Sequence, residues 1–153
     1  MTKDQKVLMD SKEFKNVFNE VAKSNSFEKA FGGWFKKSSE CIIVLHLQKS
    51  NFGDYYELNI KIFIQGIFDT QYSSNKEMVK KLVGNVFTRL PSVFKDVLDF
   101  DIPMDDEKRK DELKSIFSKY IVPFTDIALS RVGLKRLARQ KKIFLLPAVE
   151  EEL

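Results

Sequence analysis

The stretch IVLHLQKSNFGDYYELNIKIFI, residues 43–64, decides the fold. Two runs rich in aliphatic, β-branched and aromatic residues flank a loop carrying Asn51, Gly53 and Asp54, which is the pattern of a β-hairpin. A loop of two residues (Phe52, Gly53) or of four (51–54) gives the same pairing. Leu47 then faces Leu58, Leu45 faces Ile60, Ile43 faces Ile62 and Cys41 faces Ile64, a consistently apolar face. On the other side Gln48 meets Glu57, His46 meets Asn59, Val44 meets Lys61 and Ile42 meets Phe63. A slip by one residue would set apolar against polar side chains throughout, so the alternation itself selects the register.

Upstream of the hairpin, Phe14, Val17, Phe18, Val21 and Ala22 recur with the helical period. Asp10 and Glu13 read as an acidic capping pair, with Met9 and Phe14 placed as its hydrophobic staple. Residues 27–31 and 34–37 are short strands separated by Gly32-Gly33, and Ser38 and Ser39 make the turn into the strand 40–49. Downstream, residues 69–77 read as a loop. Residues 78–83 read as a helical turn ended by Gly84-Asn85, 86–90 as a short strand ending at Pro91, and 96–102 as a further strand. Leu113, Ile116, Phe117, Tyr120 and Ile121 restore the helical stripe after the acids 105–107, which suit the positive end of a helix dipole. Pro123 kinks or restarts that helix, and Gly133 marks another break before Leu134, Leu137 and Ala138. Residues 143–147 are too short to classify by period.

These elements predict one α+β domain over 1–153. An antiparallel sheet of about four to six strands is covered on one face by the N-terminal and C-terminal helices. With 153 residues, 43% hydrophobic and 31% charged, the chain can bury a substantial core, and its 14 Phe make that core rich in benzyl groups. One cysteine, Cys41, excludes an intramolecular disulfide. The N-terminal MTKDQKVLMDSKEF lacks the apolar run of a secretion signal, and no run approaches the ~18 apolar residues of a membrane span. A cytoplasmic protein is expected.

The stretch LQKSNFGDYYELNIKI, with its aromatic-Gly loop and paired tyrosines leading to an Asn-containing strand, resembles a bacterial family of uncharacterised proteins, domain of unknown function 4304. FEKAFGGWFKK upstream is similar to the family's Phe-Lys…Trp-aromatic-Lys pattern. The likeness is good over 27–66 and looser toward VPFTDIALSRVGLKRL. Where the family carries a Cys-His-Ile-Arg-like strand this chain has NVFTRL, with Arg89 the matching residue and no histidine. The family has no established activity, so the resemblance implies a fold more than a function.

The chemistry narrows by elimination. Cys41 and His46 lie an odd number of residues apart on one strand and so on opposite faces, which removes the nucleophile–base pair. One Cys and one His cannot build a structural zinc site, and no phosphate loop is present. No catalytic residue, metal or cofactor is assigned, and an enzyme of familiar class is not expected. A carboxylate- or metal-dependent activity through Asp99 and Asp101, followed by Asp105 and Asp106, stands as an alternative. The favoured expectation is a binding or regulatory module, of immunity type among others, with a protein or peptide partner. Its candidate residues are His46, Gln48, Phe52, Tyr55, Glu57, Asn59 and Phe63 on the hairpin's outer face and tip. Phe52 would be the exposed anchor, and His46 a group able to titrate near neutral pH. The net charge is only +4, but residues 131–142 carry a run of cations. Arg131, Lys135, Arg136 and Arg139 therefore form an alternative phosphate or nucleic-acid patch.

Overall fold

The computed structural model describes residues 7–153; the first six, part of the stretch read above for a leader, lie outside the described residues. Among the described residues, five strands form one antiparallel sheet in sequential order. They are β1 (Glu28–Ala30), β2 (Gly33–Lys37), β3 (Cys41–Lys49), β4 (Tyr56–Ile64) and β5 (Val86–Arg89). The central pair has the register that its alternation demands, with Leu45 opposite Ile60 and His46 opposite Asn59. The turn between β1 and β2 is one residue earlier than expected. Ala30 pairs with Gly33, and Phe31 (φ 55°) and Gly32 (φ 83°) both take left-handed conformations, as a two-residue primed turn requires.

Helix α1 (Ser11–Ser24) begins at Asp10, whose side chain accepts from Glu13 N–H, and buries Phe14, Phe18, Val21 and Ala22. The C-terminal half contributes α3 (Asp106–Ile116), a π-turn (Phe117–Ile121), α4 (Val122–Ala128) and α5 (Arg131–Arg139). The wider π-turn precedes Pro123, which has no N–H for the regular ladder, so the helix bends and restarts there. These helices and α1 bury one sheet face in a core that runs from Phe14 and Phe18 through Trp34, Ile43, Leu45 and Ile60 to Phe117. Phe18 lies 4.6 Å from Trp34 and 5.3 Å from Phe117 between ring centres. Trp34 donates its indole N–H to Asn19 Oδ1, so its one polar atom is satisfied inside the core.

Three further expectations are corrected. Residues 96–102 do not form a strand: a 3₁₀ segment (Ser92–Leu98) occupies this region, followed by a single bridge from Asp99 to Tyr55. Arg109, 2% exposed, holds that segment by donating to the carbonyls of Asp96, Val97, Asp99 and Ile102, which ties up backbone that a strand would have paired. Gly133 does not break the chain but sits inside α5, whose N-cap Ser130 accepts from Gly133 N–H.

The third correction concerns the outer sheet face, which is only partly open. A short helix α2 (Lys76–Lys80) lies over it and forms a second core of Phe35, Ile42, Val44, Phe63, Met78 and Val79. A helix of five residues has no stability of its own. Asn75 caps its start by accepting from Met78 N–H. Lys61, buried in the sheet, caps its end by donating to Val79 O at 2.7 Å and Met78 O at 3.4 Å. Gly33 completes the fit, since a Cβ there would come within 3.0 Å of Val79 Cγ2 and of Leu45 O.

Candidate functional site

Beyond the end of α2 the outer face is polar and linked. Asn59, buried between β3 and β5, donates from Nδ2 to Gln48 Oε1 and accepts at Oδ1 from Arg89 Nε, both at 2.9 Å. Arg89 Nη1 reaches Glu57 Oε2 at 3.1 Å, and its guanidinium lies over the Phe87 ring at 5.6 Å. The order Gln48–Asn59–Arg89–Glu57 runs across three strands and follows from two registers, His46 opposite Asn59 and Asn59 opposite Arg89. Because Asn59 uses both ends of its amide inside the row, the exposed side chains of Gln48 and Arg89 are held in fixed orientations. Gln48 Nε2 and Arg89 Nη2 remain as donors toward solvent.

Next to this row lies a cleft of about 420 Å³, with Leu58, Leu90, Pro91 and Leu98 as apolar lining and Tyr55, Lys95 and Asp99 among its polar groups. The Tyr55 ring is backed by Gly53, where a Cβ would come within 3.0 Å of it. Arg109 fixes the wall opposite through the carbonyls of Val97 and Asp99. A larger recess of about 710 Å³ between α1, β2 and α4 contains none of the expected residues, and the Lys36–Asp126 ion pair lies among its lining groups.

The seven hairpin residues therefore do not form one platform. Gln48, Glu57 and Asn59 share the polar row, and Tyr55 belongs to the cleft. Phe52 stands at the hairpin tip, 94% exposed. Phe63, at 1% exposure, is part of the second core and has no access to a partner. His46 is half-buried at the margin of that core, and its Nδ1 is shut away without a hydrogen-bond partner. Burial first, then the ammonium groups of Lys61, Lys80 and Lys15, push the imidazole down to about 4. The ring is therefore neutral near pH 7 instead of titrating there. Arg89, noted in the sequence only as a family match, is the central cation of the row. Its role becomes visible only once β5 is placed beside β4.

The other candidates are distributed differently. Cys41 lies in the main core on the face away from His46, and burial pushes its thiol up to about 12. Asp99 Oδ1 accepts from Asp101 N–H, Asp101 Oδ2 from Asp54 N–H, and Asp106 Oδ1 from Met9 N–H, so these acids brace loop and helix ends. Among the described residues no three His, Cys, Asp or Glu side chains are grouped to hold a metal ion. Arg131 is separated from the other cations by its contacts: it donates to Glu152 O at 2.8 Å and Gln65 O at 2.9 Å, tying α6 (Pro147–Glu152) to the end of β4. Lys135, Arg136 and Arg139 are exposed.

A family model described as domain of unknown function (DUF4304) matches residues 18–127. No curated protein and no solved structure matches the chain. None of the described helices is long and apolar enough to cross a membrane.

Proposed function

The chain belongs to the DUF4304 family, whose description assigns no activity, and from that premise we propose a binding or regulatory module of the bacterial cytoplasm, immunity-type among the forms it could take. Its contact surface is the open end of the outer sheet face with the adjoining cleft, and its partner is a protein or peptide. The observation that carries this reading is the Gln48–Asn59–Arg89–Glu57 row. A buried amide that orients two exposed donors beside an apolar cleft suits recognition of carbonyl or carboxylate oxygens. Such pre-ordering lowers the entropy lost on binding. Phe52 extends the surface at the hairpin tip as an apolar anchor.

The test is capture by the immobilised protein beside a Gln48→Ala/Arg89→Ala variant, with unfolding curves confirming that both fold. Asn59 is left intact because its removal would disturb packing as well as recognition. A partner purified from the wild-type capture should bind the variant about tenfold or more weakly, the loss of roughly 1.4 kcal/mol expected when oriented hydrogen bonds disappear. Equal affinity for both proteins would remove this face from the proposal.

A further inference from the structure

A second surface lies at the free edge of the sheet. Leu90 N–H donates to Leu58 O at 3.0 Å, and antiparallel pairs alternate. Val86 and Thr88 therefore turn their peptide groups toward β4, while Phe87 and Arg89 turn theirs outward. β5 is the last strand of the sheet, and no other described segment pairs with that edge. Between it and residues 141–145 runs a recess of about 530 Å³, which shares Ala138, Leu145 and Glu150 with a second of about 330 Å³ under α5. The two make one groove.

Its chemistry is one-sided. Lys135, Arg139, Lys141 and Lys142 line it against the single carboxylate of Glu150, and among the described residues none of these five is in an ion pair. Phe144, 73% exposed, and Phe87, 38% exposed, supply apolar contact. Lys141 adds a local cost. α5 ends in a Schellman motif, with Lys142 N–H on Leu137 O and Lys141 N–H on Ala138 O, and Lys141 takes the left-handed position (φ 60°) that favours glycine. Charge alone would merely blunt a sheet edge against aggregation. Outward peptide groups, two exposed aromatic rings and an excess of cations together describe a receptor for a strand.

We propose that this groove takes an extended acidic segment of another protein, which adds as a strand to the free edge of β5. Main-chain hydrogen bonds to Phe87 and Arg89 would supply affinity, and the cations would select acidic side chains. A second copy of this chain is a poor occupant, because a twofold pairing of β5 edges would bring like-charged grooves together. A nucleic acid would use the cations but not the strand edge. This groove meets the Gln48–Asn59–Arg89 row at β5 but uses the main chain of Arg89 and not its side chain. The Gln48→Ala/Arg89→Ala protein that tests the row should therefore still bind the acidic segment, and either surface can fail alone.

The probe is a short blocked peptide in which Glu alternates with Val, carrying a fluorophore and titrated by anisotropy. Three competitors run beside it: the same peptide N-methylated on the amides that would face β5, a version with Lys for Glu, and single-stranded oligothymidylate. The acidic peptide should bind saturably and weaken with salt. N-methylation, the Lys version and a Lys141→Glu/Lys142→Glu protein should each reduce affinity about tenfold or more. Because N-methylation leaves the protein and the peptide's charges unchanged, its effect isolates strand pairing. No saturable binding, equal binding of the methylated peptide, or displacement by oligothymidylate at lower concentration than by the unlabelled acidic peptide would each overturn the proposal.

Discussion

His46 is a polar residue whose surroundings, more than its type, set its behaviour. The unfolded chain takes up a proton on this ring near pH 6.5, and the folded chain only near 4. Between those values the unfolded state binds more protons, so stability falls as the pH is lowered through the window. The slope is bounded by one proton, about 1.4 kcal/mol per pH unit, and is smaller because the ring is only half-buried. His46 is the sole histidine, and most carboxylates titrate lower, which isolates its contribution between pH 6.5 and 5. Urea denaturation across that interval should show declining stability in the wild type and a nearly flat profile in His46→Gln. A wild-type profile already flat would mean that water reaches the ring. The sequence placed His46, Gln48, Glu57 and Asn59 correctly on one face, since strand alternation is local. It could not show that Asn59 is buried while Gln48 is exposed, because that depends on what lies across from each.

Among the elements, α5 shows how close packing overrides propensity. Glycine within a helical stripe reads as a break, but the interruption comes earlier, at Leu129 and Ser130. A Cβ at Gly133 would lie 1.7 Å from Ile127 O, so the residue is there to let α5 pass against the end of α4. In an unhindered helix Gly→Ala stabilises by about 1 kcal/mol. Here Gly133→Ala should destabilise by about 3 kcal/mol or more, read as a lower urea midpoint. The sign decides the matter: a rise would mean that the α4–α5 junction relaxes freely. The strand expected at 96–102 failed for a related reason. Its alternation is real, but the backbone groups that a strand would pair are taken by Arg109, a charged residue whose burial nothing in its neighbourhood of the sequence announces.

In the whole molecule, one sheet separates two cores of unequal size. The larger joins α1 to α6, while the smaller depends on α2 and on Lys61 beneath it. Replacing Lys61 with Ala leaves the last carbonyls of α2 without their donor. The short helix should then open more often, with the sheet intact. Hydrogen exchange should quicken about tenfold or more at the amides of Lys81 and Leu82, a loss of roughly 1.4 kcal/mol of local stability. The amides of Ile43 and Ile60 should keep most of their protection. Equal acceleration at all four sites would mean that the two cores unfold as one unit.

Residues 43–64 determined the hairpin and its register without help, because a two-residue side-chain period and one apolar face admit a single pairing. The amphipathic stripe of α1 and its Asp10 cap were likewise local matters. Which outer-face residues stay open was decided only in the folded molecule. Phe63 disappears under Met78 and Val79, Arg89 arrives beside Asn59 from a strand that begins 22 residues after β4 ends, and Arg131 leaves the basic stripe to tie down α6. Each of these contacts joins residues far apart in the chain, and no periodicity within one segment encodes its neighbour across the sheet.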